Sequence, residues 1–193
     1  MRLLFLMVTC LAVTTSASAA EIRSSIREAE LPEKKQTTLG LYLSSTDAMV
    51  ALDADPTILF VDVRDPIEVN FVGHPEPVDA IIPFQLFKLE FDEKKGAYKG
   101  VPNEDFVNNV DALVAREGLG KTHPVFVMCR SGGRSANAAN TLAKAGYDNV
   151  WSLVEGFEGD KDKAGMRTVK GWRNTGLPWK YELTPKQAWL PSN

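Results

Sequence analysis

The sequence predicts an α/β domain with a parallel sheet at its centre. Two largely apolar runs, Ile58 to Val63 and Val125 to Met128, are bounded by turn residues, which is typical of parallel strands that are buried on both faces. Between them, Asn103 to Glu117 carries apolar side chains at helical spacing. This succession of strand, helix and strand indicates an α/β fold with right-handed crossovers.

The first elements after the N-terminal region are a short strand and a helix. Leu41 to Leu43 can form the strand, and Ser44 with Asp47 resembles a capping box that opens a helix. Asp55-Pro56 predicts where that helix ends, because proline interrupts the helical hydrogen bonds. Ala80 to Ile82 is predicted to be a later strand.

The segment from Gln85 to Val101 alternates charged and apolar residues, with Gly96 marking a turn. It predicts an exposed hairpin. Because insertions in surface loops cost little stability, we favour a solvated excursion here. A flap that recognises a partner is the alternative.

The second half of the domain is predicted to continue with one more helix and one more strand. Ala136 to Ala145 has a small apolar face suited to close packing on a sheet. Gly146 ends this helix, and Val150 to Leu153 reads as the last strand of the sheet.

Residues 1–19 have the pattern of a secretory signal peptide. Arg2 is followed by the apolar stretch Leu3 to Val13 and by an A-x-A cleavage pattern at Ala17-Ser18-Ala19. The stretch is shorter than the roughly 20 apolar residues that a membrane anchor needs, and the residues before Cys10 are not those of a lipoprotein. We therefore expect an exported protein, located in a bacterial periplasm, with no membrane span after cleavage.

Cleavage after residue 19 would leave Cys129 as the single cysteine of the chain. Such a chain cannot form an internal disulfide, although its compartment would permit one. An odd cysteine in an exported protein is either reactive or paired with another molecule. Both possibilities draw attention to Cys129.

Charge and histidine content exclude two classes of partner. The net charge of −3 argues against nucleic acid, since binding to phosphates needs a basic face. Only two histidines are present, and no cysteine and histidine have the spacing of a zinc site. We expect neither a metal nor a cofactor.

The segment that points most directly to chemistry is the active loop, which we define as residues 129–135. Here a cysteine follows an apolar strand and precedes a helix, so peptide N–H groups and the helix N-terminus surround its sulfur and favour a thiolate. The alternative is a cysteine that serves as a small buried hydrophobe. Arginine, serine and glycine around it suit an anion cradle better than a core: Cys129, Arg130, Ser131, Gly132, Gly133, Arg134 and Ser135.

The active loop resembles that of the rhodanese family of sulfurtransferases, whose pattern is C-R-S-G-x-R-S. Cysteine-dependent phosphatases and arsenate reductases of similar fold have one more residue before the arginine. That arginine would fall at position 135, which is a serine here. The resemblance therefore implies a smaller loop that suits a sulfur group and not a phosphate.

Two further motifs carry the resemblance. Asp62-Val63-Arg64 is followed by Gly73-His74, and Gly171-Trp172 matches the family's final helix. The resemblance implies a rhodanese-like three-layer domain over residues 40–182, with about five parallel strands and helices on both faces. A polar lead-in (20–39) would precede this domain and a C-terminal tail (183–193) would follow it. Asp62, Arg64 and His74 are expected to give structural support, since charges at the end of a buried strand are normally paired.

The activity that the resemblance implies is sulfur transfer. Cys129 would take sulfane sulfur from a small anionic donor such as thiosulfate, hold it as a persulfide, and pass it to a thiol or cyanide. Peptide N–H groups of the active loop would stabilise the charged sulfur. Arg130 would face the donor, while Arg134 and Ser135 would anchor the loop.

Three other functions remain open at this point: a periplasmic persulfide relay with a protein sulfur acceptor, a non-catalytic binding module, and a thiol-dependent hydrolase or reductase. A basic insertion at residues 158–171 adds a further hypothesis. It carries Lys161, Lys163 and Arg167, which would attract anionic donors towards the cysteine. A solvated charged loop with no such role is the alternative.

Overall fold

Five parallel strands form the central sheet of the protein, in a computed structural model that describes residues 21–190. The predicted signal peptide and the last three residues of the predicted tail lie outside the described residues. The strands, in chain order, are β1 (Tyr42–Leu43), β2 (Leu59–Asp62), β3 (His74–Pro75), β4 (Ala80–Ile81), β5 (Gln85–Asp92), β6 (Ala97–Pro102), β7 (Val125–Met128), β8 (Val150–Leu153), β9 (Asp160–Lys161), β10 (Arg167–Val169) and β11 (Trp179–Lys180).

The order of strands in the central sheet is β1-β8-β7-β2-β4, and every pairing in it is parallel. The three remaining pairs are small antiparallel ribbons: β5 with β6, β9 with β10, and β3 with β11. Strand β7 therefore lies at the centre of the sheet, and the residue that follows it, Cys129, emerges from the middle of the carboxyl edge. In open parallel sheets this edge is where ligands bind.

Helices cover both faces of the sheet, as predicted. They are α1 (Ser45–Ala54), α2 (Pro66–Val72), α3 (Phe106–Arg116) and α4 (Gly133–Lys144). Helices α3 and α4 pack on the face that includes Val61 and Val127, whereas α1 and α2 pack on the face that includes Phe60 and Met128. Successive strand residues point to opposite faces, so each apolar run fills two cores at once. This explains why the runs contain few polar residues.

Local signals open the first two helices. Ser44 and Asp47 form the predicted capping box of α1, and the helix ends before Asp55. Asp65 and Glu68 form a second capping box at the start of α2, satisfying N–H groups that have no partner within a helix. The second box becomes important for the active loop.

The ends of the described chain pack on the domain. Ile81 in the edge strand β4 donates its N–H to the carbonyl of Gln187 (2.8 Å), and the Gln187 side chain donates to the carbonyl of Val78 (2.7 Å). The tail thereby covers a sheet edge that would otherwise present free peptide groups. At the other end, Thr37 donates its N–H to the hydroxyl of Tyr42 (2.8 Å). No helix within residues 21–190 has the length and apolarity that crossing a bilayer requires.

Two expectations about elements need correction. Helix α4 begins at Gly133, three residues before the predicted start at Ala136, because the carbonyl of Gly132 already accepts from the N–H of Ala136. The final helix implied at Gly171-Trp172 is wrong. A single turn occupies this segment, in which the N–H of Thr175 donates to the carbonyl of Gly171 at 3.0 Å. Gly176 follows with a positive φ of 75°, which is a glycine conformation that ends helices.

Candidate active site

The sulfur of Cys129 is held inside the active loop by hydrogen bonds at both ends of the residue. The N–H of Gly132 donates to Sγ at 3.2 Å. The N–H of Cys129 donates to the buried hydroxyl of Ser135 at 2.8 Å. Ser135 lies in the first turn of α4, so its hydroxyl joins the end of the strand to the start of the helix.

Several peptide N–H groups of the loop have no partner among the described residues. Those of Arg130, Ser131, Gly133 and Arg134 appear in no hydrogen bond with residues 21–190. Because unpaired N–H groups are costly when buried and bind anions well, they form a potential cradle beside the sulfur. The start of α4 adds the positive end of a helix dipole.

The Cys129 side chain is not open to solvent. The residue is only 1% exposed and belongs to the core cluster that contains Val61 and Val127. The loop carbonyls are fixed as well, since those of Cys129 and Arg130 accept from the N–H groups of Phe157 and Glu158 at 2.8 and 2.9 Å. Solvent therefore has little access to Cys129 in this structure.

Glycine is required at two positions where the active loop passes the segment after β8. Gly132 has φ +95°, and a Cβ there would lie 2.2 Å from the carbonyl oxygen of Val154. Gly156 has φ +65°, and a Cβ there would lie 2.5 Å from the N atom of Ser131. Both values are far below van der Waals contact, so the two backbones approach as closely as atoms allow.

Arg134 is paired within the protein. Its two terminal nitrogens donate to the two carboxylate oxygens of Glu68 at 2.5 and 2.6 Å. Burial opposes the charge on both side chains, but their mutual hydrogen bonds and charges outweigh it. The pKa of Arg134 is therefore raised and that of Glu68 lowered. This geometry agrees with an anchoring role for Arg134.

Arg130 and Arg167 are the other cations near the sulfur. Arg130 is exposed. Arg167 donates to the carbonyl of Gly159 at 2.6 Å, and burial and the positive charge of Arg130 lower the pKa of Arg167. Lys161 and Lys163 are exposed and form no ion pair with another described residue. Of the three steering candidates, Arg167 is therefore affected by the charge of a residue in the active loop.

Asp62, Arg64 and His74 lie behind the loop in the core. Arg64 is fully buried, donates to both carboxylate oxygens of Asp62, and donates to the carbonyl of Gly73 at 2.8 Å. The ring nitrogens of His74 contact the carbonyls of Pro75 (2.8 Å) and Glu182 (3.1 Å). These contacts tie β2, α2 and the C-terminal segment together.

Sequence reasoning missed two residues that support the loop. Glu68 could have been found, because Asp65-x-x-Glu68 is a capping-box pattern whose acid lies on the side of α2 that faces α4. No sequence pattern around Lys35 indicates that this residue supports the loop. It is buried against Gly132, with its Cδ 3.2 Å from the position of a Cβ there, and it pairs with Asp160 at 2.8 Å. Among residues 21–190, no three acidic, cysteine or histidine side chains cluster as metal ligands would.

Comparison with known proteins places the chain in a family. Residues 45–163 match the profile of the Rhodanese-like domain. The "Uncharacterized protein RP600" of Rickettsia prowazekii is 42% identical over 139 residues, covering 72% of this chain and 96% of that protein. The thiosulfate sulfurtransferase GlpE of Actinobacillus succinogenes is 43% identical over 56 residues, covering 29% of this chain and 40% of GlpE.

A solved structure agrees with these relatives. The crystal structure of Rv0390 from M. tuberculosis aligns with a TM-score of 0.56 and 29% identity, covering 73% of this chain and 97% of that one. The profile matches more than half of the chain, and the protein therefore belongs to the Rhodanese-like domain family.

Proposed function

We propose that this protein is a sulfurtransferase that carries sulfane sulfur as a persulfide on Cys129. The observation that carries the proposal is the position of Sγ, which accepts the N–H of Gly132 in a loop where the N–H groups of four other residues are unpaired among the described residues: Arg130, Ser131, Gly133 and Arg134. Sequence similarity to a thiosulfate sulfurtransferase supports the choice of reaction. Fold alone would not, because one fold serves many functions.

The proposed reaction has two displacements. The thiolate of Cys129 attacks the outer sulfur of thiosulfate, the S–S bond of the donor breaks, and sulfite leaves with the electron pair. An acceptor thiolate or cyanide then attacks the outer sulfur of the persulfide. The persulfide S–S bond breaks and its electron pair returns to Sγ of Cys129.

The unpaired N–H groups of the loop would stabilise the terminal sulfur of the persulfide. A hydrogen bond to a charged group contributes about 1.5 to 3 kcal/mol, so a few of them would stabilise the anion substantially. Arg130 and Arg167 would add long-range attraction for the dianionic donor. Since Cys129 is nearly fully buried, we expect the loop or its surroundings to open before the donor reacts.

Intact-mass measurement tests the proposal. Protein that begins at residue 21 is incubated with thiosulfate, freed of excess donor and weighed. A gain of one sulfur, about 32 Da, that cyanide removes and that Cys129→Ser abolishes would support the persulfide. No mass gain with thiosulfate or with other sulfane donors would contradict it.

A further inference from the structure

The hairpin formed by β5 and β6 exposes apolar side chains to solvent. Phe87 and Phe91 share one face, because their cross-strand partners, Gly100 and Tyr98, are two residues apart. Phe91 and Tyr98 pack edge to face but stay 60% and 57% exposed, and Leu89, in the irregular stretch between the two phenylalanines, is 94% exposed. We call Phe87, Leu89, Phe91 and Tyr98 the hairpin patch.

The hairpin patch is not explained by the stability of the fold. The hairpin already has a charged pair, Lys99 with Glu90 at 3.1 Å, and the side chains of Phe91 and Tyr98 remain more than half exposed although they pack on each other. Apolar clusters of this kind on a soluble protein mark surfaces that another molecule covers. A two-stranded ribbon is also marginal on its own, so a covering partner would stabilise it.

Phe87, at one end of the hairpin patch, contacts residues that hold the active loop in place. The N–H of Phe87 donates to the carboxylate of Asp65 at 2.8 Å, and the guanidinium of Arg134 lies 5.9 Å from the centre of the Phe87 ring. Asp65 caps the helix whose Glu68 holds Arg134. A molecule bound on the hairpin patch would therefore lie beside the loop that contains Cys129.

The charges around the patch indicate the character of the partner. On the hairpin itself, Lys88 and Lys94 are exposed and form no ion pair with a described residue, against the single unpaired acid Glu93. Outside the hairpin, the exposed cation Arg130 lies in the active loop and the exposed acids Glu104 and Asp105 follow β6. An acidic rim on the partner would complement these cations. A second copy of this chain would instead oppose like charges, which disfavours self-association through this surface.

We propose that the hairpin patch is the docking surface for a protein partner that exchanges sulfur with Cys129. The partner has a cysteine within an apolar surface that is bordered by acidic residues. This inference rests on the proposed function. The partner's thiolate attacks the outer sulfur of the Cys129 persulfide, the persulfide S–S bond breaks with its electron pair returning to Sγ, and the partner leaves as the persulfide. Small acceptors such as cyanide react with the persulfide without contacting the hairpin patch.

Two cysteine peptides serve as probes of the acceptor reaction. One has phenylalanine and leucine on both sides of its cysteine and aspartates at its ends, and the other has serines in place of the apolar residues. We expect sulfur transfer from loaded protein to the apolar peptide to be faster by about tenfold, because aromatic contacts of this size contribute of that order. Leu89→Ser and Phe91→Ser/Tyr98→Ser should remove the preference.

Val50→Ser is the matched control, because Val50 is 64% exposed on α1. It should keep the preference, and all variants should transfer sulfur to cyanide at the wild-type rate. Leu89→Ser protects the test against misfolding, since a side chain that is 94% exposed contributes little to the core. Equal rates for the two peptides on the wild-type protein would overturn the proposal.

A binding measurement separates this proposal from the sulfur chemistry. Fluorescent versions of the peptides, with serine in place of cysteine, are titrated with Cys129→Ser protein, which cannot form a persulfide. Tighter binding of the apolar peptide that is lost in the hairpin variants supports docking even if no persulfide ever forms. Sedimentation completes the test, because a dimer that Phe91→Ser/Tyr98→Ser dissociates would assign the patch to a second copy and overturn the proposal.

Discussion

Arg134 and Glu68 show how single residues position the active loop. A loop arginine near Cys129 could bind an anion directly, but both terminal nitrogens of Arg134 are directed to one carboxylate. The pair therefore fixes the first turn of α4 relative to α2. Arg130, which has no such partner among the described residues, is the exposed arginine of the loop.

Glu68→Gln should destabilise the protein because it leaves the charge of Arg134 largely buried and without its counter-ion. Breaking a fully buried pair costs about 3 to 5 kcal/mol, and since this pair keeps slight solvent contact we expect about 2 to 3 kcal/mol. Urea unfolding at neutral pH measures the loss. Glu117→Gln is the matched control, since Glu117 pairs with Arg116 and Lys186 at the exposed surface.

The same pair gives a pH dependence with a defined sign. The folded-state pKa of Glu68 lies below its ordinary value of 4.5, because Arg134 outweighs the effect of burial. The stability from ionised Glu68 is therefore present above pH 4.5 and lost as the pH falls through the lower folded pKa. Unfolding free energies of wild type and Glu68→Gln should converge in that acidic range. A gap that stays constant down to about pH 3 would argue against the pair as its source.

At the residue scale, the sequence predicted which residues form the active loop but not which residues pack around it. The positions of Cys129 and Gly132 follow from a local pattern, so they could be predicted. The near-complete burial of Cys129 could not, because Cys129 lies in a core cluster whose other members, such as Val61 and Phe106, come from distant parts of the chain. No local pattern records such contacts.

The contact between the active loop and the segment after β8 is a property of two elements. Each contributes a glycine with positive φ, at Gly132 and Gly156, and each glycine faces the other element's backbone. A side chain at either position would separate the elements, and with them the N–H groups that surround the sulfur.

Gly132→Ala should cost more stability than Gly118→Ala. Both positions have positive φ, at +95° and +70°, but a Cβ at Gly118 meets no atom within 4 Å, whereas one at Gly132 overlaps the carbonyl of Val154. We expect about 1 kcal/mol at Gly118 from backbone strain alone and about 3 kcal/mol at Gly132, where overpacking adds to it. Thermal unfolding measures both, and equal losses would show that the close approach is unimportant.

The elements themselves were largely predictable. The five sheet strands and the helices α1, α3 and α4 follow from apolar runs, a capping box and helical spacing, because side chains that are buried on one face of an element recur at regular intervals in the sequence. The ribbons β3 with β11 and β9 with β10 were not foreseen. They are two or three residues long, too short to produce a recognisable pattern.

At the scale of the whole molecule, segments from opposite ends of the chain meet over the active loop. Lys35 in the lead-in pairs with Asp160 in the insertion, and both segments lie next to the loop. The side chain of Lys35 is buried, whereas that of Asp160 is more than half exposed. The two partners are therefore not equivalent.

This asymmetry predicts that Asp160→Asn destabilises the lead-in more than Lys35→Met. The first change leaves a buried ammonium group without its counter-ion, at a cost of about 1 to 2 kcal/mol, whereas methionine fills the same space without a charge and should be nearly neutral. Limited proteolysis of residues 21–40 measures the effect as a faster cleavage rate. Lys34→Met, at an exposed neighbouring position, should match the wild type, and slower cleavage of Asp160→Asn than of Lys35→Met would refute the argument.

Cys129 is the free thiol of the described chain, and it is nearly fully buried. The rate at which it is modified therefore reports how often the surrounding residues uncover its sulfur. An alkylating reagent such as iodoacetamide can add only one group to protein that starts at residue 21, and only while the sulfur is uncovered. If reclosure outpaces alkylation, the observed rate equals the intrinsic rate of thiol modification multiplied by the fraction of molecules that are open, as in hydrogen exchange. A single time course by mass spectrometry would therefore give the population of the reactive state without any sulfur donor.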